Sequence, residues 1–372
     1  MRFKKSLLYF ATFLVSIFYY PNANSLTVGD WSSVSTQSHI TFPTGASDNH
    51  INGFTQMNNG FTLYDENTSC TFNSSFTVSG SVELNGGKLY LEQDLIFSNS
   101  VTSFVNSSGT STAVVYGQNH MIVFSTGIND LSGTVSFVNC DILLNTDISI
   151  SDTIFFDGNC CFNGRGSVLD LVNNGGVVCV DESSSLTFEN LIVLGLGGSE
   201  DSGYINNLKC LAPDSHLTFR NCGLIMSNNY SFTEGWIHFY QDDSIYGRSL
   251  LRSQDNLIFA FQSPQYMTIH PYSRLLLEGN LTFSYDSDSA EKDHLIMVDN
   301  TSVFHLDGTT LHSTRTGLRL DTGVLVIDNL VSVQNDAENI PERMELHNTL
   351  TVEILGGGTF DFIKGYLRYV DV

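Results

Sequence analysis

From about residue 66 onward the chain is a succession of short apolar phrases separated by turns of Gly, Asn, Ser and Asp. Gly87-Lys88-Leu89-Tyr90-Leu91, Ala113-Val114-Val115-Tyr116 and Val324-Leu325-Val326-Ile327 are typical. Their shortness and their β-branched and aromatic content predict strands. The i, i+3, i+4, i+7 spacing of an amphipathic helix is nearly absent. The best helical candidate is Pro341 to His347, which places Pro at a first-turn position.

One phrase recurs: an apolar residue, then Thr, Ser or Ile, then Phe, often followed by x-Asn. It occurs as Leu95-Ile96-Phe97-Ser98-Asn99, Val135-Ser136-Phe137-Val138-Asn139, Leu186-Thr187-Phe188-Glu189-Asn190 and Leu217-Thr218-Phe219-Arg220-Asn221. Weaker copies stand at Leu257-Ile258-Phe259 and Leu281-Thr282-Phe283, and the Phe positions are 40, 51, 31, 40 and 24 residues apart. Such spacing fits one or two coils of ~20–25 residues plus loops, the mark of a stacked solenoid. In a parallel β-helix, like positions lie above one another at ~4.8 Å, so inward Phe, Leu, Ile and Val form ladders. Asn at the bends can ladder through its amide, as in cross-β stacks. Gly86-Gly87, Gly175-Gly176 and Gly197-Gly198 supply the backbone freedom of tight corners.

The predicted fold is therefore all-β: a single elongated right-handed parallel β-helix of roughly 12–15 turns, a rod on the order of 60–70 Å. Tandem antiparallel β-sandwiches are the alternative, disfavoured by the lack of regular two-residue hairpin turns. Both solenoid ends need covering against edge pairing. Residues 26–65 are assigned as an N-terminal cap region, and 66–372 as the β-helix, closed by a C-terminal cap over Thr359 to Val372.

Residues 1–25 read as a secretory signal peptide. Arg2, Lys4 and Lys5 form a positive start, Ser6 to Tyr20 is apolar, and Ala23-Asn24-Ser25 offers small residues for cleavage between Ser25 and Leu26. The apolar run falls short of the ~20 residues that span a bilayer, so no transmembrane segment is expected after signal removal. The predicted location is secreted or cell-surface, with the periplasm as alternative.

Charge narrows the partners. The chain carries 16 Lys+Arg against 39 Asp+Glu, a net charge of −23, and loss of Arg2, Lys4 and Lys5 takes it to −26. Such a field repels a phosphate backbone, which excludes nucleic acid. Charged residues are only 15% of the chain and hydrophobic ones 41%, so the surface is one of Ser, Thr, Asn and Gly around a real core. The seven cysteines, Cys70, Cys140, Cys160, Cys161, Cys179, Cys210 and Cys222, are odd in number and lack CxxC spacing. They read as small buried residues, with one or two disulfides left open.

The signal peptide, the Phe-x-Asn phrases, the Gly-Gly turns and Thr316-Gly317-Leu318-Arg319-Leu320-Asp321-Thr322-Gly323-Val324-Leu325 resemble secreted bacterial β-solenoid proteins. The likeness is to uncharacterised repeat proteins of intracellular bacteria. More distantly it extends to polymorphic outer-membrane-protein and autotransporter passengers and to pectin-lyase-like β-helices. It implies an adhesin or surface stalk, although no stretch after residue 300 leaves room for a transmembrane barrel. Asn145-Thr146-Asp147 matches one motif of polygalacturonase-like hydrolases, but of the companion motifs only a paired acid, Asp242-Asp243, is present. Inversion needs a second carboxylate across the scissile bond, so Asp147 reads as a turn residue. Asp286-x-Asp288 resembles a calcium loop but has Glu291 and Met297 where that loop needs Gly and Glu. Weak structural calcium is the only cofactor allowed, and no catalytic or metal residue is assigned. Ten histidines stand singly and are read as structural or exposed.

The sequence thus predicts a non-enzymatic exported solenoid, structural or adhesin-type, presenting a polar lateral face to a glycan or a cell-surface protein. The alternative is a polysaccharide-active enzyme, hydrolase or lyase, on the same fold. A structural coat that self-associates through a face or an uncapped end is a third reading.

Overall fold

The computed structural model describes residues 27–28, 39–42, 44–45, 49–51, 56–74, 76–98, 103–125, 130–172, 175–197, 206–241, 248–286, 294–313, 317–336, 343–364 and 366–370. The protein is a right-handed parallel β-helix with no helix among these residues. Three parallel walls rise side by side: a first of nine strands, a second of eleven, and a third that continues to the C-terminal coils. All pairings among the described strands are parallel, in the interior as in the late coils. The sandwich alternative, which requires antiparallel neighbours, is thereby overturned. Strands within 26–65, such as Ile40–Phe42 and Gly60–Leu63, already pair in parallel with the coils that follow.

Strands before residue 249 are short because two or three inward residues suffice to fill a narrow core. Ser185–Glu189 and His216–Arg220 alternate outward and buried positions. In them Leu186, Phe188, Leu217 and Phe219 point inward at 2% exposure or less. Phe137, Phe156, Phe162, Phe188, Phe219 and Phe239 form a continuous spine with ring centroids 5.6–6.1 Å apart. Each neighbouring pair adds about 0.5–1.5 kcal/mol beyond the area it buries.

The bends explain the recurring Asn. Asn139, Asn190 and Asn221 adopt φ of 48°, 49° and 53°, the left-handed region that Asn tolerates better than other non-glycine residues. Asn139 Oδ1 accepts the Asn159 amide at 3.0 Å, over the bare Cα of Gly158. The predicted amide ladder is present where Asn221 Nδ2 donates to Asn190 Oδ1 at 3.3 Å.

The recurring Phe phrase can now be placed on the walls, and one sequence expectation is corrected. The Phe phrase does not mark one position per coil: Phe97, Phe188 and Phe219 stand on the second wall, Phe137 on the first. Every wall needs an inward aromatic beside an outward polar residue, so the phrase recurs wherever a strand meets a bend. Coil length also varies, as Cys70 faces Leu89 and Phe188 faces Phe219. The helix over Pro341 to His347 is not formed, because Arg343–Ile354 is a strand. Met344 and Leu346 alternate with period two, stack on Leu318 and Leu320, and are buried. So short a helix lacks the turns to stabilise itself, and coil stacking overrides its local preference.

From residue 249 onward, long strands turn a corner without breaking. Ser249–Phe261 and Arg274–Tyr285 pair along their length, with one register shift between Ser253 and Leu257. Thr359–Lys364 and Tyr366–Val370, from the segment assigned to the C-terminal cap, form further rungs of the stack.

Candidate functional site: a ring-covered lateral face

Parallel register copies the outward position of one strand directly onto the next. On the second wall this aligns three columns across His216–Arg220, Trp236–Tyr240, Met267–Ile269 and Leu295–Met297. At one margin, His216 stacks on Trp236 (5.6 Å), Trp236 meets Tyr266 (5.1 Å), and Tyr266 stacks on His294 (4.9 Å). At the other margin, Glu189 faces Arg220 at 3.7 Å, the Arg220 guanidinium lies 5.8 Å from the Tyr240 ring centre, and Tyr240 stacks on His270 at 3.7 Å. Thr187, Thr218, His238 and Thr268 fill the middle column.

His238 joins the margins. Its Nε2 lies 3.0 Å from His216 Nδ1 and its Nδ1 lies 3.2 Å from His270 Nε2. A chain of three neutral imidazoles satisfies both contacts, each ring donating one N–H and accepting at the other nitrogen. Protonation of His238 would make both its nitrogens donors, setting N–H against N–H at one contact, and would place a charge on a part-buried ring. Burial first, then His270 and His216, push its pKa down to about 4. Burial also holds His216 and His270 below the ordinary imidazole value. The face is thus uncharged at its centre at neutral pH, with N–H, imidazole N and phenol groups at its rim.

At the adjoining bend, an open groove of about 420 Å³ runs past Asn190 and Asn221, floored by Gly166 and Gly223 and edged by Arg165. Arg165 donates to Asn145 Oδ1 at 3.2 Å. Side-chain amides and a guanidinium therefore continue the polar rim around the corner.

The residues singled out from sequence fall elsewhere. Asp147 stands at a bend before Ile148–Ile150, and its Oδ1 accepts the Val168 amide of the next coil at 2.8 Å. Asp286 Oδ2 accepts from Gln262 Nε2 at 3.1 Å. Ser25 and Leu26 of the cleavage position, Asp242-Asp243, Asp288 and Gly198 lie outside the described residues. Among the described residues no group of three or more His, Cys, Asp or Glu is arranged to hold a metal. All seven cysteines are unpaired, and six are buried. Burial pushes the Cys160 and Cys161 thiols up to about 11 and Cys210 and Cys222 to about 12, away from nucleophilic chemistry.

The ring face was missed from sequence because its histidines were read one at a time. The signal lies in outward positions of like-framed phrases: His216-Leu217-Thr218-Phe219-Arg220, Trp236-Ile237-His238-Phe239-Tyr240 and Tyr266-Met267-Thr268-Ile269-His270. No family model, curated protein or solved structure matches the chain. Its function is argued from this geometry.

Proposed function

We propose that the protein is an exported, non-enzymatic β-solenoid of structural or adhesin type that presents its second wall to a glycan. The observation carrying this reading is the array of six partly exposed rings, His216, Trp236, His238, Tyr240, Tyr266 and His270, stacked across consecutive rungs and backed by the buried ring of His294. Aromatic bodies with polar tips suit a ligand that is apolar on one side and wet on the other. Sugars have that character, offering C–H faces to rings and hydroxyls to imidazole, phenol and threonine. A rigid sheet pre-orders these groups, so little entropy is lost on contact. The net charge of −23 favours neutral or cationic glycans over acidic polymers. Secretion or surface display is the setting that the sequence implies, and among the described residues no helix is long and apolar enough to cross a membrane.

The test is retention of the purified chain on a broad polysaccharide panel, with release of new chain ends measured alongside. Retention without cleavage, lowered at least tenfold by Trp236→Ala, is the expected result. New chain ends would instead support a polysaccharide-active enzyme, and retention indifferent to Trp236→Ala would move the site off the second wall.

A further inference from the structure

On the second wall one outward column repeats a hydrogen-bonding tip on every rung. Asn159 faces Ser185, Ser185 faces His216, and His216 faces Trp236 in register. Tyr266, whose carbonyl accepts the Ile237 amide, follows on the next rung. Amide, hydroxyl, imidazole, indole N–H and phenol thus succeed one another at positions wholly or partly open to solvent. The step along the column is short. Ring centres are 5.6 Å apart from His216 to Trp236 and 5.1 Å from Trp236 to Tyr266, near the ~4.8 Å spacing of neighbouring strands. Across the wall the step is longer, 6.3 Å from Trp236 to His238 and 6.5 Å from His238 to Tyr240, because side chains on one face of a strand recur only every second residue.

Repetition of this kind rewards length in a ligand. Each tip shares its contact with water, so single contacts are weak, and affinity is gathered by linking many of them along one molecule. The ligand must also keep pace with the rungs.

We propose that the ligand is an unbranched polymer of uncharged, equatorially linked pyranoses lying lengthwise on the second wall. One edge of the polymer follows this column and the other lies toward Tyr240 and His270. The inference rests on the glycan reading given above and adds the linkage, the length and the direction. Equatorial links make a straight ribbon whose advance per sugar is close to one rung, so successive sugars meet successive tips. Axial links make a coil that leaves a straight column after a few units. The direction across the wall offers a longer step and only three outward positions. The diagonal of His216, His238 and His270 has a short step, but its rings spend nitrogens on one another at 3.0 and 3.2 Å and reach both margins within three rungs. No charged side chain stands in the column, Glu189 and Arg220 face each other at 3.7 Å on the far margin, and a net charge of −23 turns away a polyanion.

Calorimetric titration of the purified chain with oligomers from dimer to hexamer tests it. Three equatorially linked series are used (cello-, chito- and β-linked manno-oligosaccharides) beside one axially linked series, the malto-oligosaccharides. At least one equatorial series should bind, its hexamer at least tenfold more tightly than its dimer, as linked contacts do, and the malto series should show no such gain. Ser185→Arg, which sets a bulky side chain in the column one rung before His216, should remove most of the hexamer's gain and leave the dimer unchanged. The length series uses the native chain and stands even if the variant folds poorly. Binding by none of the equatorial series, equal affinity for dimer and hexamer, an equal gain in the malto series, or a hexamer indifferent to Ser185→Arg would overturn the proposal. Retention confined to axially linked or branched glycans, and still lost in Trp236→Ala, would overturn this inference alone. Retention of no glycan at all would overturn the glycan reading with it.

Discussion

Acid should loosen the second wall through His238, and the size of the effect follows from its surroundings. In the unfolded chain its imidazole takes a proton near 6.5, and in the folded wall burial and its two imidazole neighbours lower this to about 4. Between those values the unfolded state holds more protons, so stability falls as pH drops. The contribution is fully present above about pH 6.5 and gone by about pH 4. The gap is worth at most about 3 kcal/mol. Partial exposure of the ring brings the expected figure to about 1–2 kcal/mol. The groups facing His238 are His216 and His270 within hydrogen-bond distance, with Tyr240 and Trp236 beside it. The comparison is chemical denaturation of the native chain and His238→Phe at pH 7.5 and 4.5. Carboxylates titrate in both proteins, so the difference between them isolates the imidazole. The native chain should lose about 1–2 kcal/mol more than the variant on acidification. Equal losses would refute the account of the imidazole chain.

Other consequences are as direct. Phe188→Ala, in the middle of the aromatic spine and fully buried, should cost about 3–5 kcal/mol in denaturation measurements. Asn139→Ala removes both the left-handed tolerance at φ 48° and the acceptor for Asn159. It should cost about 1–2 kcal/mol, and Asn139→Gly, which keeps the backbone freedom, visibly less. Under non-denaturing conditions Cys161, the one thiol that is not buried, should react first with a thiol reagent. The other six should wait for unfolding, and simultaneous labelling of all seven would contradict the burial pattern.

Much of the fold is legible in the letters because a solenoid writes its geometry locally. Turn residues recur at short intervals, regular two-residue hairpin turns are lacking, and left-handed bends select Asn in Asn139, Asn190 and Asn221. What is not legible is which residues become neighbours across coils. Phe188 and Phe219 are 31 residues apart, and Phe219 and Phe239 only 20, yet both are adjacent rungs of one column. No fixed period reveals the columns, so single histidines and tyrosines hide a continuous face. The same cause hid the strand at Arg343–Ile354. Its local sequence suits a helical turn, and only the preceding rung makes Met344 and Leu346 a buried pair.

The chain has two tryptophans, Trp31 and Trp236, which allows the central claim to be read optically. With Trp31→Phe, Trp236 is the sole indole reporter and stands within the ring column between His216 and Tyr266. Titration with a retained polysaccharide should shift its emission in a saturable way, and Tyr240→Ala should weaken that binding at least tenfold. Binding that leaves Trp236 emission unchanged and ignores Tyr240→Ala would contradict a ligand site on the second wall.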